Sequence, residues 1–559
     1  LADRDPEIVA QAAKVLGDFR LADAGTQLVP LLTNANPRVQ FFAAQALGRI
    51  KHQPAMQPLL AMLKANNDAD VYLRHAAVLA LSRIGQVEPL VALASSPDRS
   101  LRLAAVLALR QMKSEQVHLF LKDSDESIVT EAARAINDDE SIPAALPALA
   151  TVLGDKRFTD EALLRRAINA CLRVGGEAQL NQVLAFAKRP DASAELRAEA
   201  LATLGTWANP SVLDRVDGRY RGPLERNPAL VQRTVQPHVA ELLRETDESV
   251  LIAAAKMAGN LGLRESGNAL AGVFSESRSS TVRAAMLTAL SQVSYPGMEA
   301  AIRQGMNDAN PEVRTAALGL VGGLNLSASA LADVSKAVFE KGSLREQQQF
   351  LRTLGTLPSA NTERVLESLI AKAADKSLAP ELALDLNEAV DAAKSPALTA
   401  KLAPHRSTGS TAADYADVLL GGNARAGRQY VFNSTAAQCI RCHAIGGQGG
   451  EVGPPLSGIG SVLTREQLVQ ALIEPSARLS PGYGTVMLTL KDGQTVTGIL
   501  SQETAAELTL KTSEAEPLRV PVARIAKREN LPSSMPPMGT IMSRREIRDV
   551  VEFLASLKK

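Results

Sequence analysis

Aromatic side chains are scarce, at 3% of 559 residues with a single Trp. That scarcity disfavours large β-sandwiches and propellers, whose strands draw on aromatic pairs for cross-strand packing. Cysteine is scarcer still: Cys171, Cys439 and Cys442 are too few for a disulfide framework. No charge of one sign dominates. The 61 basic and 60 acidic side chains leave a net charge of +1, so there is no electrostatic footprint for nucleic acid or an anionic membrane. No run of about 18 apolar residues occurs, so no transmembrane segment is predicted. The chain opens on Leu1-Ala2-Asp3 without a basic n-region or an apolar h-region, and no signal peptide is legible.

What is abundant is Ala and Leu. Hydrophobic residues make up 46%, ample for buried cores, and small aliphatic side chains suit helices packed at close range. A recurring line runs through the first two thirds: an Asn/Asp/Pro turn, a charged residue, then Ala-Ala and Leu at helical spacing. Asn36-Pro37-Arg38-Val39 leads to Ala43-Ala44-Gln45-Ala46-Leu47, and Asn310-Pro311-Glu312-Val313-Arg314 leads to Ala316-Ala317-Leu318. Leu16, Leu47, Leu81 and Leu109 are spaced by 31, 34 and 28 residues, which fits one helix pair per repeat. A single pair cannot bury its apolar stripe, and stacking on its neighbours does. These residues resemble HEAT repeats of the short bacterial kind, and the resemblance implies an α-solenoid over residues 1–400. The first repeat begins almost at residue 1 without a polar cap, so a further segment is expected before it.

The stretch Asp214 to Arg226, with four arginines and Tyr220 between Gly and Pro, breaks the period and predicts a projecting loop. Two readings stand: a connector tied down by Arg to Asp/Glu pairs, or a docking loop with Arg219, Tyr220 and Arg221 against a neighbouring domain. Lys394-Ser395-Pro396, Pro404 and Ser407-Thr408-Gly409-Ser410-Thr411 predict a linker over 401–420. Beyond it, alternation on both sides of Asp492-Gly493 predicts a hairpin, with a second strand pair within about 484–526. Arg544 to Leu557 predicts a closing amphipathic helix with Ile547, Val550, Val551 and Leu554 on one face.

Cys439-Ile440-Arg441-Cys442-His443 carries the chemistry. Thiols at i and i+3 lie on one side of a helical turn, where they can add to the two vinyl groups of haem, and the next residue supplies an axial imidazole. A zinc site needs four ligands, and no second Cys/His pair lies within reach in the sequence. One covalent haem c is therefore expected, held by Cys439, Cys442 and His443. The sixth ligand should be a thioether from Ser534-Met535-Pro536-Pro537-Met538-Gly539-Thr540-Ile541-Met542, just before the last helix.

Gly422 to Phe432 resembles the first helix of a class I cytochrome c, with Phe432 facing the last helix, and Gly453-Pro454-Pro455-Leu456 is similar to that family's Gly-Pro-x-Leu. The resemblance implies that the Pro454 carbonyl accepts the proximal imidazole N–H and that Leu456 packs on the haem ring. It also implies a distal Met in Met-Pro-x-x-Gly, which maps onto Met535, with Met538 as runner-up and Met542 in the core. His443 and Met535 stand 92 positions apart, about twice the family's usual spacing, and the strand-rich segment accounts for the excess as a β insertion. The expected fold is thus mainly α: a HEAT-like solenoid, then a class I cytochrome c domain over 421–559 carrying a small antiparallel β insertion.

The order of parts resembles the PVC-type haem-binding CxxCH proteins, often labelled membrane-bound dehydrogenases, in which a propeller precedes HEAT repeats and a cytochrome c. The resemblance rests on the repeats, the Asp214 to Arg226 loop, Glu474-Pro475-Ser476 with Pro481-Gly482-Tyr483, Lys491-Asp492-Gly493 and Ser534-Met535-Pro536. No counterpart of the propeller occurs here, and residues 1–400 show no sugar- or quinone-binding constellation. The family implies a periplasmic electron-transfer module that takes electrons from a dehydrogenase domain or protein and passes them to a redox protein or a membrane acceptor. Two other readings remain open: a haem enzyme such as a peroxidase, and an interaction scaffold with a haem sensor.

Overall fold

The computed structural model describes residues 1–357, 359–478, 480 and 482–558; Pro481, part of the Pro-Gly-Tyr motif, lies outside them. The chain divides into two compact units, Leu1–Met298 and Glu299–Lys559. Both are mainly helical.

In the first unit the recurring turn sets each helix entry. Asp5, Asn36, Asp70, Asp98 and Asp125 are the N-caps of α1 (Pro6–Asp18), α2 (Pro37–Ile50), α3 (Val71–Ile84), α4 (Arg99–Gln111) and α5 (Glu126–Asn137), and each side chain accepts a hydrogen bond from a first-turn amide. Pro6 and Pro37 occupy first helical positions, where no N–H is needed. The Ala-Ala and Leu positions are buried: Ala43, Ala44 and Leu47, Ala76, Ala77 and Leu81, Ala104, Ala105 and Leu109. Successive helices touch at small residues. A Cβ on Gly17 would stand 2.6 Å from Ala46 Cα, and one on Gly48 would stand 2.6 Å from Ala80 Cα, so glycine permits this approach. Four apolar side chains at the amino end stay largely exposed: Ile8, Val15, Phe19 and Leu21.

The Asp214 to Arg226 loop is a connector fastened inside its own unit. Arg221 donates to the carbonyls of Asp139 (2.6 Å) and Asn137 (2.7 Å), supplying the carboxyl end of α5 with donors that the helix lacks. Arg219 pairs with Asp139 at 3.1 Å. Burial alone would raise the Asp214 carboxyl; the Val216 and Asp217 amides, Asn169 and Arg221 hold it below the usual carboxylate range. Arg226 reaches the carbonyls of Trp207 and Leu172, and its guanidinium lies over the Trp207 ring. Tyr220 is 70% exposed, and its backbone bridges to Leu213 across the loop.

The second unit begins with further repeat helices, among them α6 (Pro311–Val321), α7 (Leu344–Thr356) and α8 (Ala383–Ala393). A buried pair, Arg314 to Glu346 at 3.0 Å, joins α6 to α7. Within the 401–420 stretch, residues 412–418 form 3-10 turns whose Tyr415 and Val418 enter the core near the carboxyl terminus, as does Leu384 of α8. That core is built on α9 (Ala424–Asn433), α10 (Cys439–Cys442), α11 (Arg465–Ile473) and, after the strands, α12 (Arg544–Ser556). Ile547, Val550, Val551 and Leu554 of α12 are all buried in it. Gly427 lets α9 meet α12 backbone to backbone, and Phe432 stacks edge-on against Phe553 with centroids 6.5 Å apart. On its other side α12 is bound to α8 by charge: Asp385, whose side chain is fully buried, pairs with Arg545 at 3.0 Å and with Arg548 at 2.5 Å.

Among the described residues five strands form one antiparallel sheet in the order β4-β3-β2-β1-β5. They are β1 (Thr485–Leu490), β2 (Thr495–Glu503), β3 (Glu507–Lys511), β4 (Leu518–Pro521) and β5 (Ile525–Asn530). Asp492-Gly493 turns β1 into β2, with Gly493 at φ +85°. The sheet has a core of its own, including Val486, Leu488, Leu500, Leu510 and Val520. The fifth strand was not evident in the sequence. It pairs with β1, Val486 opposite Asn530, and so brings the two ends of the insertion together.

Candidate functional site

The two cysteines and His443 meet at an open cleft in the second unit. Its wall is largely apolar: Val431 of α9, Leu468 and Leu472 of α11, Val550 and Leu554 of α12, with Leu456 and Ile459. Cys439 and Cys442 bound the one-turn helix α10, entered through Gln438 in the left-handed region, and both line the cleft. Cys439 is half-buried and Cys442 exposed; burial, then the neighbouring Cys442, pushes the Cys439 thiol up.

The backbone after α10 folds back over it. The amides of Gly450 and Gly453 donate to Ile440 O (3.0 Å) and Cys442 O (2.8 Å), and Leu456 N donates to Ala444 O at 2.9 Å. This return sets His443. Its Nδ1 lies 2.7 Å from the Pro454 carbonyl. A carbonyl only accepts, so Nδ1 carries a proton; in the neutral ring the lone pair is then on Nε2, the tautomer that binds a metal through Nε2. Gly453 lies flat against the ring: a Cβ there would stand 2.6 Å from Cε1 and 2.8 Å from Nδ1. Any other residue would push the imidazole off its seat.

A second segment faces the same cleft. Met535 is partly buried, and Met538 is buried at the head of a 3-10 turn that Met542 N closes onto Met538 O at 2.8 Å. Both methionines line the cleft; Met542 is buried in the core. Ser533 N donates to Ser476 Oγ at 3.0 Å and Met535 N to Ser533 Oγ at 3.1 Å, which ties the methionine segment to the loop after α11. All the residues expected at the site, Cys439, Cys442, His443, Pro454, Leu456 and Met535, line this one cleft. Gly453, Arg478, Ser533 and Tyr483 line it too and were not foreseen as site residues. Gly453 belongs to the Gly453-Pro454-Pro455-Leu456 motif, but its contact with the imidazole depends on the folded return of the chain. Cys171 belongs to no site: it is buried in the first unit, and burial pushes its thiol up to about 12. Among the described residues no group of three His, Cys, Asp or Glu side chains converges on a metal-ion position, and no helix is long and apolar enough to cross a membrane.

Residues 1–71 match the family model of HEAT repeats. An engineered protein of known structure is 18% identical over 71% of this chain and 97% of its own, with a TM-score of 0.21. The karyopherin Kap121p bound to the extreme C-terminus of the protein phosphatase Cdc14p is 12% identical over 73% of this chain and 47% of its own, with a TM-score of 0.42. The same karyopherin bound to the SUMO protease Ulp1p is 12% identical over 69% of this chain and 50% of its own, with a TM-score of 0.40. No curated protein matches the chain. The chain is thus a mainly α protein with HEAT-like solenoid repeats and a small antiparallel sheet, and its repeats suggest protein partners.

Proposed function

We propose that residues 421–559 are a class I cytochrome c domain with a β insertion, carrying one covalent haem c, and that the chain is a periplasmic electron-transfer module on a HEAT scaffold. The observation that carries this reading is the Nδ1 of His443 at 2.7 Å from the Pro454 carbonyl, in an apolar cleft that both cysteines line. Cys439 and Cys442 would hold the haem through thioethers, His443 Nε2 would be its proximal ligand and Met535 its distal one, with Leu456 against the ring. The haem, when bound, supplies a one-electron couple.

The protein's part is to seat and tune it. The Pro454 carbonyl fixes the imidazole's orientation and raises its basicity, Gly453 gives the ring a surface to lie on, and the apolar wall keeps water out. A soft thioether ligand favours the ferrous state and raises the potential. With Met535 as the second ligand the haem would have no position left for small ligands, and Met535 ligation would thus favour electron transfer over a peroxidase. Electrons would come from a dehydrogenase domain or partner protein and leave to a redox protein or membrane acceptor, the scaffold bringing partners together.

Carbon monoxide titration of the reduced full chain tests the assignment. The wild type should bind none, Met535→Ala should bind it and lose the Met-to-iron charge-transfer band, and Met538→Ala should keep the band. Carbon monoxide binding by the wild type would instead support the enzyme reading, and loss of the band in Met538→Ala alone would move the ligand to Met538.

A further inference from the structure

The second unit carries another concave surface, away from Cys439, Cys442 and His443: a groove of about 580 Å³, a size at which protein clefts hold ligands. One wall is α7, the other is α12 with the Gly421-Gly422-Asn423 turn, and α6 adds Thr315, Leu318 and Gly319.

The α7 wall presents one polar stripe. Arg345, Gln348, Gln349 and Arg352 stand at i, i+3, i+4 and i+7, so they share a helix face, and all four line the groove. Arg345 and Arg352 are exposed, and among the described residues neither has a carboxylate partner: Arg352 donates to Gln349 Oε1 at 3.3 Å, and Arg345 to no side chain. The other charges on the groove are answered. Glu346 is held by Arg314 and the Ser343 hydroxyl. Arg545 and Arg548 share Asp385, and Glu388 takes the other end of Arg545. Asp549 accepts from the Asn423 amide at 2.8 Å, and burial pushes its carboxyl up. Arg548 is 3% exposed, and its Nε finds no hydrogen-bond partner among the described residues, a buried donor left unmet in the groove wall. Two unanswered guanidinium charges and an unmet donor around one groove fit an anionic ligand.

Spacing selects which anion. Seven residues of helix rise about 10 Å, too far for one carboxylate to bridge both arginines. A chain in the polyproline II form advances about 3 Å per residue and repeats every three, so acidic residues at i and i+3 point the same way about 9 Å apart. We infer that the groove binds an extended acidic segment of a partner protein, with Arg345 and Arg352 each pairing one of two carboxylates three residues apart. Gln349, between them on the stripe, has its Nε2 open to a peptide carbonyl. Binding here needs no haem, and it gives the protein partner suggested by the repeats a definite chemistry.

The experiment is fluorescence anisotropy of the full chain with a labelled peptide, Gly-Glu-Pro-Pro-Glu-Gly blocked at both ends, beside a version with Gln for both Glu and one with the two glutamates adjacent. The first should bind and the other two should bind about tenfold more weakly or worse. Arg345→Gln and Arg352→Gln should each weaken the first about tenfold, the loss of one charged hydrogen bond, and Arg345→Lys should weaken it less. Both side chains are exposed, so neither change disturbs packing. Gly319→Phe should also weaken binding, because a Cβ there meets nothing within 4 Å and the ring would occupy the groove without altering its charge. Arg364, exposed and outside the groove, serves as the control, and Arg364→Gln should bind as wild type does. A wild type that binds no peptide up to millimolar concentration, that takes all three peptides equally, or that loses as much from Arg364→Gln as from Arg345→Gln would overturn the assignment of this groove.

Discussion

Replacing Gly427 by Ala puts the packing of α9 on α12 to a severe test. The added Cβ would stand 1.9 Å from the Asp549 carbonyl oxygen, 2.4 Å from its carbon and 2.9 Å from Val550 N. All three are backbone atoms of a buried helix, so no side-chain rotation relieves them. The helices must part by roughly 1 Å to reach a tolerable contact, which forfeits much of the dispersion energy along their seam. Overpacking of this kind costs about 3 kcal/mol, the upper part of its usual range. It outweighs the roughly 0.5–1 kcal/mol that Ala gains over Gly inside a helix. For a unit of this size the thermal midpoint should fall by about 6–12 °C. Circular dichroism on heating measures it, with Gly319→Ala as the control. Gly319 lies in α6 with nothing within 4 Å of a new Cβ, so that variant should be as stable as wild type or slightly more so. If Gly427→Ala melts with Gly319→Ala, the close approach of α9 and α12 is wrong. Val550 and Leu554 of α12 line the cleft, so displacing this helix should disturb the site as well.

Arg314→Ala should cost about 3–5 kcal/mol in denaturant unfolding, because it strands the buried Glu346 carboxylate; adding Glu346→Gln should recover part of that loss. Arg221→Ala should free the 214–226 loop from the carboxyl end of α5, read as faster amide exchange and new proteolytic cleavage there while the repeats on either side stay protected. The Ser127 hydroxyl, followed by Arg99, holds the Asp125 carboxyl at about 2 against an ordinary 3.8 despite partial burial. A folded pKa below the unfolded one stabilises above 3.8 and is lost as pH falls toward 2, so Asp125→Asn should flatten the acid-unfolding profile of the first unit in that window and leave the neutral-pH side parallel to wild type.

The parts of the fold legible in the sequence are those whose cause is local. Asn36-Pro37 and Asn310-Pro311 announce helix starts because cap and ring act within four residues. Asp492-Gly493 announces a hairpin because the turn needs a positive φ where Gly stands. β5 escaped notice because Ile-Ala-Lys-Arg-Glu-Asn has no apolar alternation; it is a strand by virtue of β1 beside it. The ion cluster on Asp385 was illegible for a related reason, as its partner Arg548 lies 163 positions away. Arg221 reads as a loop residue in sequence, and only the fold brings it to the carbonyls of α5. At the site, Cys439, Cys442 and His443 line one cleft because five consecutive residues stay together whatever the fold. The Gly453 surface under His443, and the loop that carries Arg478, depend on chain segments that come together after folding.

The most direct test of the account is covalent attachment. The full chain is produced in a host competent for c-type cytochrome maturation, unfolded, extracted with acidified acetone, and examined by its alkaline pyridine spectrum. One haem per chain should stay with the polypeptide in the wild type, and Cys439→Ala combined with Cys442→Ala should release it. A wild-type chain that matures without pigment, or that gives all of its pigment to the solvent, would contradict the assignment of this cleft as a haem c site.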